Sequence, residues 1–119
     1  NLCQGRAFIE AWAVYAGYDD VTVGQIVMAC DEAASNVFRH GYAERPGPLV
    51  VQARVDSQNF FVWMVDEATP VDSSKIKPRD LADVRPGGLG TFIMNQVFDE
   101  VIYEPRAHGT VLKLRKACP

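Results

Sequence analysis

Glu32 and Asn36 stand four residues apart in the stretch DEAASNVFRHGY, residues 31–42. On a helix that spacing places both side chains on one face, one turn apart. A carboxylate beside a carboxamide can divide a reaction between them. The carboxylate takes a proton from an attacking hydroxyl or water, and the amide oxygen is a hard ligand suited to magnesium. An ordinary solvated Glu–Asn pair has the same spacing. Gln25, Ala29 and His40 extend the stripe, and His40 also fits a simpler role as a cation closing the helix.

A second segment, RPGGLGTF at residues 85–92, carries Gly87, Gly88 and Gly90 at the entry to a helix. Amides without Cβ obstruction, at a positive helix end, suit phosphate oxygens. Arg85 adds a cation. No Gly-Lys-Ser/Thr follows, so this is not a Walker loop, and the spacing differs from the dinucleotide fingerprint. A flexible loop entering a helix would read the same way. Asp66, where an apolar strand ends, can accept the exocyclic amine of a purine or simply form a turn. Thr110 opens a strand after Gly109. Lys75, Lys77 and Arg79 are offset by Asp72, Asp80 and Asp83.

These side chains need elements to hold them. Leu2 to Ala16 reads as a helix, with Leu2, Ala7, Phe8, Ala11, Trp12 and Tyr15 at three- and four-residue steps and Gly17 as its stop. Asp19 or Asp20 caps a second helix from about Thr22 to His40, ended by Gly41. Its apolar face is Val23, Ile26, Val27, Cys30, Ala33, Ala34, Val37 and Phe38. After a Pro- and Gly-bearing loop at residues 44–48, LVVQARV (49–55) and NFFVWMVD (59–66) read as a hairpin turning through Asp56, Ser57 and Gln58. Residues 67–88 form a loop of about 20 residues, a length that in small domains is usually functional or mobile. A third helix runs from about Leu89 to Phe98. EVIYE (100–104) and TVLKLR (110–115) close the chain around a turn at His108 and Gly109. This order predicts an α+β two-layer sandwich. Its sheet is mixed but mostly antiparallel, of about four to five strands, and about three helices cover one face. Trp12 and Trp63 fit the core or the sheet face.

Composition narrows the function classes. The chain has 119 residues, 48% hydrophobic and 23% charged, which suits one compact domain with a real core. A net charge of −3 argues against direct nucleic-acid binding. No apolar run reaches the roughly 18 residues of a membrane span, and no signal-peptide pattern opens the chain. Cys3, Cys30 and Cys118 have neither metal nor disulfide spacing, so a reducing cytoplasm is expected. The chain begins at Asn1 without a methionine, and residues 1–119 are expected to be a single domain, truncated at its N-terminus or excised from a larger regulator.

Taken together, DEAASNVFRHGY (31–42), VDEATPVD (65–72), RPGGLGTFIMNQVFDEV (85–101) and GTVLKL (109–114) resemble, in order and spacing, the GHKL or Bergerat-type ATPase family. Within it they look most like the anti-sigma factor serine-protein kinases of the RsbW and SpoIIAB type. The resemblance spans roughly Asp20 to Lys116. It implies a cytoplasmic Mg-ATP-dependent protein serine/threonine kinase that sequesters a sigma factor and phosphorylates a STAS-type antagonist, with a homodimer common among relatives. Carried over, Glu32 is the general base and Asn36 holds Mg2+ against the phosphates. Asp66 binds adenine with support from Thr110. Ala68, Arg85, Gly87, Gly88, Leu89, Gly90 and Thr91 complete the ATP site, with Arg85 approaching the γ-phosphate.

One departure stands out. The family's first glycine box, Asp-x-Gly-x-Gly, reads here Asp66-Glu67-Ala68-Thr69-Pro70. If the first glycine has positive φ, alanine costs on the order of 1 kcal/mol there, and its methyl group would crowd adenine. Pro70 removes an amide donor. The family's first strand is also not visible before Leu2. The alternative is therefore a regulatory binding module with weak or absent nucleotide use. An ordinary histidine-kinase ATPase domain ranks lower, because no phospho-accepting helical domain accompanies it.

Overall fold

The computed structural model describes residues 2–68 and 89–119, with the backbone alone for residues 2 and 89–91. Helices α1 (Leu2–Tyr15) and α2 (Asp20–Asn36) come first, and α2 runs on into a π-helical turn at Val37–Gly41. Strands β1 (Leu49–Val55) and β2 (Asn59–Asp66) follow, then α3 (Leu89–Val97), β3 (Glu100–Pro105) and β4 (Thr110–Ala117). The four strands lie in the order β1-β2-β4-β3, and every pairing among the described residues is antiparallel. The expected sandwich is present, with no parallel pair in its sheet. No helix among the described residues is long and apolar enough to cross a membrane.

Period-two alternation decides which strand residues meet the helices. Phe60, Val62 and Met64 of β2 and Leu112 and Leu114 of β4 are buried against Ile26, Ala29, Cys30 and Ala33 of α2, Ile9 and Ala13 of α1, and Met94 of α3. Asp66 keeps the same parity and is itself buried, so its carboxylate lies on the helix side at the end of β2. The opposite sheet face bears Phe61, Trp63, Lys113 and Arg115. There Lys113 Nζ sits 4.3 Å from the Trp63 ring centroid and Arg54 4.7 Å from that of Phe61.

Local chemistry fixes the helix ends. The Asp19 carboxylate accepts from Thr22 N–H at 2.8 Å and caps α2, which also holds its carboxyl below the ordinary range. Arg6 grips Asp31 with two bonds of 3.0 Å and ties α1 to α2. Lys116 Nζ donates to Val97 O at 2.9 Å at the C-terminus of α3.

Two expectations are corrected. Helix α1 buries Ile9 and Ala13, whereas Ala7, Phe8, Ala11 and Tyr15 are exposed. Apolar residues surround this helix, so no polar stripe marks its inner face, and Ala13 lets it approach α2 closely. Helix α2 stays α-helical only to Asn36. Beyond it the bond from Tyr42 N–H to Val37 O (2.9 Å) widens the turn to five residues.

Gly109 (φ 98°) turns β3 into β4, and a Cβ there would fall on the backbone of Asp66 and Glu67. Gly109→Ala is expected to displace this turn and to lower the melting temperature by at least about 4 °C, near the shift 1 kcal/mol produces in a domain of this size. Phe60 is fully buried, and Phe60→Ala is expected to cost about 3–5 kcal/mol in urea denaturation.

Candidate functional site

Asn36 ends the α-helical part of α2 and is 5% exposed. Its Oδ1 accepts from Arg39 at 3.1 Å. Arg39 also reaches Glu32 Oε1 at 3.4 Å, so one guanidinium bridges the acid and the amide. The donor on Arg39 fixes which end of the amide faces it. Asn36 Nδ2 is thereby turned inward, where it is buried and without a partner among the described residues. An orphaned donor of this kind costs about 1–3 kcal/mol unless a ligand satisfies it.

Asp66 is 8% exposed. Its Oδ1 accepts from Ala68 N–H at 3.0 Å and from Thr110 N–H at 3.2 Å. Burial pushes the carboxyl above its ordinary value, and those two amides and the charge of Arg106 pull the other way. Thr110 therefore supports Asp66 through its main chain, a role any non-proline residue could fill. Strand order is the cause: β4 lies beside β2, so the start of β4 meets the end of β2.

The helix end and the strand end meet. A Cβ on Gly41 would stand 3.2 Å from the Ala68 methyl. Ala68 is buried, and it is not among the described non-glycine residues with positive φ, which are Ala43 (50°) and Glu44 (65°). The left-handed cost foreseen for alanine in the altered glycine box is absent, and the methyl packs on Gly41. Tyr42 adds a second link, its hydroxyl accepting from Glu67 N–H at 2.7 Å.

Asp66, Ala68 and Thr110 thus meet at one end of the sheet, against Gly41 and Tyr42, and Arg39 links Glu32 and Asn36 on the helix that leads there. Leu89, Gly90 and Thr91 supply backbone to the first turn of α3. Arg85, Gly87, Gly88, Thr69 and Pro70 lie outside the described residues. His40 is exposed, and Arg39 takes the place on the stripe beside Glu32 and Asn36. Arg39 and Tyr42 went unremarked in the sequence reading. A signal existed for Arg39, seven residues after Glu32 and three after Asn36. None existed for Tyr42, whose partners Pro48 and Glu67 are set by tertiary structure.

The donor set fits magnesium in the manner of phosphate-bound sites. The protein would supply the Asn36 amide oxygen once Arg39 releases it, and substrate phosphates and water would complete the shell, as magnesium usually keeps several waters and takes substrate phosphates. Among the described residues no group of three or more His, Cys, Asp or Glu could form a metal cage by itself.

The chain is similar to several known proteins. Serine-protein kinase RsbW of Listeria monocytogenes is 26% identical over 106 residues, covering 82% of this chain and 68% of its own. The anti-sigma F factors of Clostridium acetobutylicum and Thermoanaerobacter sp. (strain X514) are 23% and 22% identical. They cover 79% and 98% of this chain and 69% and 85% of their own. The histidine kinase domain from the Erythrobacter litoralis EL346 blue-light activated histidine kinase superposes with a TM-score of 0.61 at 20% identity over 82% of this chain, a likeness of fold. This chain spans 45% of that one. A family model described as the histidine kinase-like ATPase domain matches residues 1–116, nearly the whole length, and the chain belongs to that family.

Proposed function

We propose that residues 1–119 form a single ATP-binding domain acting as a Mg-ATP-dependent protein serine kinase, which sequesters a sigma factor and phosphorylates a STAS-type antagonist. The observation that carries this reading is the inward-facing Asn36 Nδ2, without a partner among the described residues, on the side chain one turn from Glu32. The names of the relatives support the partner class, and a cytoplasmic homodimer is part of the same reading.

In this reading Asp66 accepts the exocyclic amine of adenine and Thr110 N–H holds the carboxylate in place. Asn36 Oδ1 holds magnesium, which when bound neutralises charge on the phosphate oxygens. Arg39 keeps Glu32 and Asn36 aligned until the site loads, then gives up the amide oxygen. Glu32 accepts the proton of the substrate serine hydroxyl. The serine oxygen bonds to the γ-phosphorus, the bridge to the β-phosphate breaks, and ADP leaves. Ala68 and the backbone of Leu89, Gly90 and Thr91 contribute to the nucleotide site in this reading, and the resemblance assigns it Arg85, Gly87 and Gly88 as well, which lie outside the described residues.

A second reading has one observation in its favour. Arg39 fills the space between Glu32 and Asn36 with a cation, as a binding module that has given up nucleotide would. Calorimetry with ATP and magnesium separates the two, since heat of binding supports the kinase and its absence the module.

Transfer from labelled ATP to the antagonist is expected for the parent. Glu32→Gln is expected to lower transfer by at least about 100-fold with ATP affinity retained. Asn36→Ala is expected to lose magnesium-dependent binding. If both variants transferred phosphate like the parent, the assignment would be wrong.

Asp66 gives a pH dependence with a definite sign. Its carboxyl is raised by burial, so it protonates at a higher pH than a free aspartate and stops accepting from adenine there. Affinity for a fluorescent ADP analogue is expected to fall as pH drops through that raised value. Nucleotide-free stability moves oppositely, because the fold binds the proton more tightly than the unfolded chain does. That contribution is fully present below about pH 3.9 and is lost as pH rises through the folded value. Both trends are expected to vanish in Asp66→Asn.

A further inference from the structure

We infer that Tyr42 is a positioning residue of the purine site, its hydroxyl wedged between Pro48 O and Glu67 N so as to set the direction in which Asp66 presents its carboxylate. The inference rests on the nucleotide reading above.

The hydroxyl donates to Pro48 O at 2.6 Å and accepts from Glu67 N–H at 2.7 Å. Its polarity is unambiguous, because a carbonyl only accepts and an amide N–H only donates. These partners sit where the β1–β2 ladder ends. The last pair is Leu49 with Asp66, so one residue further Pro48 would oppose Glu67. A direct ladder bond would bring that oxygen and nitrogen to about 2.9 Å. The hydroxyl stands between them, holding the strands apart one residue beyond Asp66.

Chain leaving β2 is therefore turned toward the end of α2, where Ala68 meets Gly41. Asp66 and Ala68, the residues flanking Glu67, are themselves joined by the bond from Ala68 N–H to Asp66 Oδ1. Tyr42 thus anchors the middle of the turn that aims Asp66.

The ring is fixed as firmly as the hydroxyl. It stacks on Phe38 with centroids 5.9 Å apart and planes at 29°. Gly47 also lies against it, where any Cβ would fall into the ring. Ala43 and Glu44, just after Tyr42, hold left-handed backbone that side chains disfavour. Strain of this kind persists where neighbouring contacts over-determine it. Phe38 lies within the π-helical turn that carries Arg39 and Tyr42 directly follows it, so one aromatic stack serves both the metal end and the purine end of the site.

The test is Tyr42→Phe, which keeps the ring and removes both hydrogen bonds. Affinity for N-methylanthraniloyl-ADP with magnesium is expected to fall about tenfold, with melting of the nucleotide-free protein shifted by no more than a few degrees. Hydrogen exchange at the Glu67 amide is expected to quicken at least about tenfold while core amides of β2 stay unchanged, which a general loosening would not produce. Unchanged affinity in a folded Tyr42→Phe protein overturns the inference. If that variant does not fold, Glu67→Pro removes the donor from the other side and carries the same expectation and the same overturning result. Asp66→Ala tells the two levels apart. Should Asp66→Ala bind the probe like the parent, the nucleotide reading itself fails. Should it lose binding while Tyr42→Phe keeps it, only the role of Tyr42 fails.

Discussion

Everything at the working end of this protein depends on a carboxylate placed on the buried side of a sheet. Asp66 follows Phe60, Val62 and Met64 in two-residue register, so the alternation that buries those apolar groups buries the acid as well. An isolated buried charge is costly. Two main-chain amides offset part of that cost here, one from the residue two positions on and one from the neighbouring strand. The same two bonds fasten the end of β2 to β4 and to the chain leaving the sheet. A polar group that stabilises the fold locally and would read a ligand is thus the product of strand order and parity together.

The charge arrangement at the other half of the site follows a related logic. Glu32 and Asn36 present oxygens to the same point, and Arg39 supplies a cation there from the same helix. A single guanidinium nitrogen, Nη2 of Arg39, serves both acceptors. Exposed ion pairs contribute little to stability, and Arg39 and Glu32 are both substantially exposed. Its value lies in orientation: by holding Asn36 Oδ1, it leaves Nδ2 in a buried position without a partner among the described residues. The helix tolerates that orphan because apolar packing of α2 against β2 and β4 carries the stability of the region.

Much of this was legible in the sequence, and the misses have physical causes. The strands were read to within a residue or two because β1 and β2 carry β-branched and aromatic residues bounded by turn formers. Glu32 and Asn36 stood out because they lie one helical turn apart, and Asp66 because it ends an apolar strand. The inner face of α1 was misread, since periodicity has no contrast on a helix apolar all round. The π-helical turn was missed because the widening after Asn36 is set by tertiary contact at Gly41 and Tyr42, not by propensity at Val37 or Phe38. Tyr42 bonds to residues 6 and 25 positions away, and only the second of these separations required the fold. Yet neither bond could be foreseen, because the hydroxyl acts on main-chain atoms that carry no signature in side-chain identity.

The one-sided packing of the sheet explains why polar connectors matter so much. Among the described residues helices cover one face, and on the other Lys113 stacks on Trp63 and Arg54 on Phe61 while Lys113 pairs with Glu104 at 2.8 Å. None of the described elements clamps the strand ends from that side. Each end is instead tied by a side chain reaching main-chain atoms: Tyr18 to Ala117 O at 2.8 Å and Lys116 to Val97 O at one end, Tyr42 and Asp66 at the other. Such ties are few, directional and rigid, whereas apolar contacts would let the ends slide. The proposed site, with a purine at one point and phosphates at another, would need that directionality, and here it comes from hydroxyl and carboxylate groups that the core itself does not require.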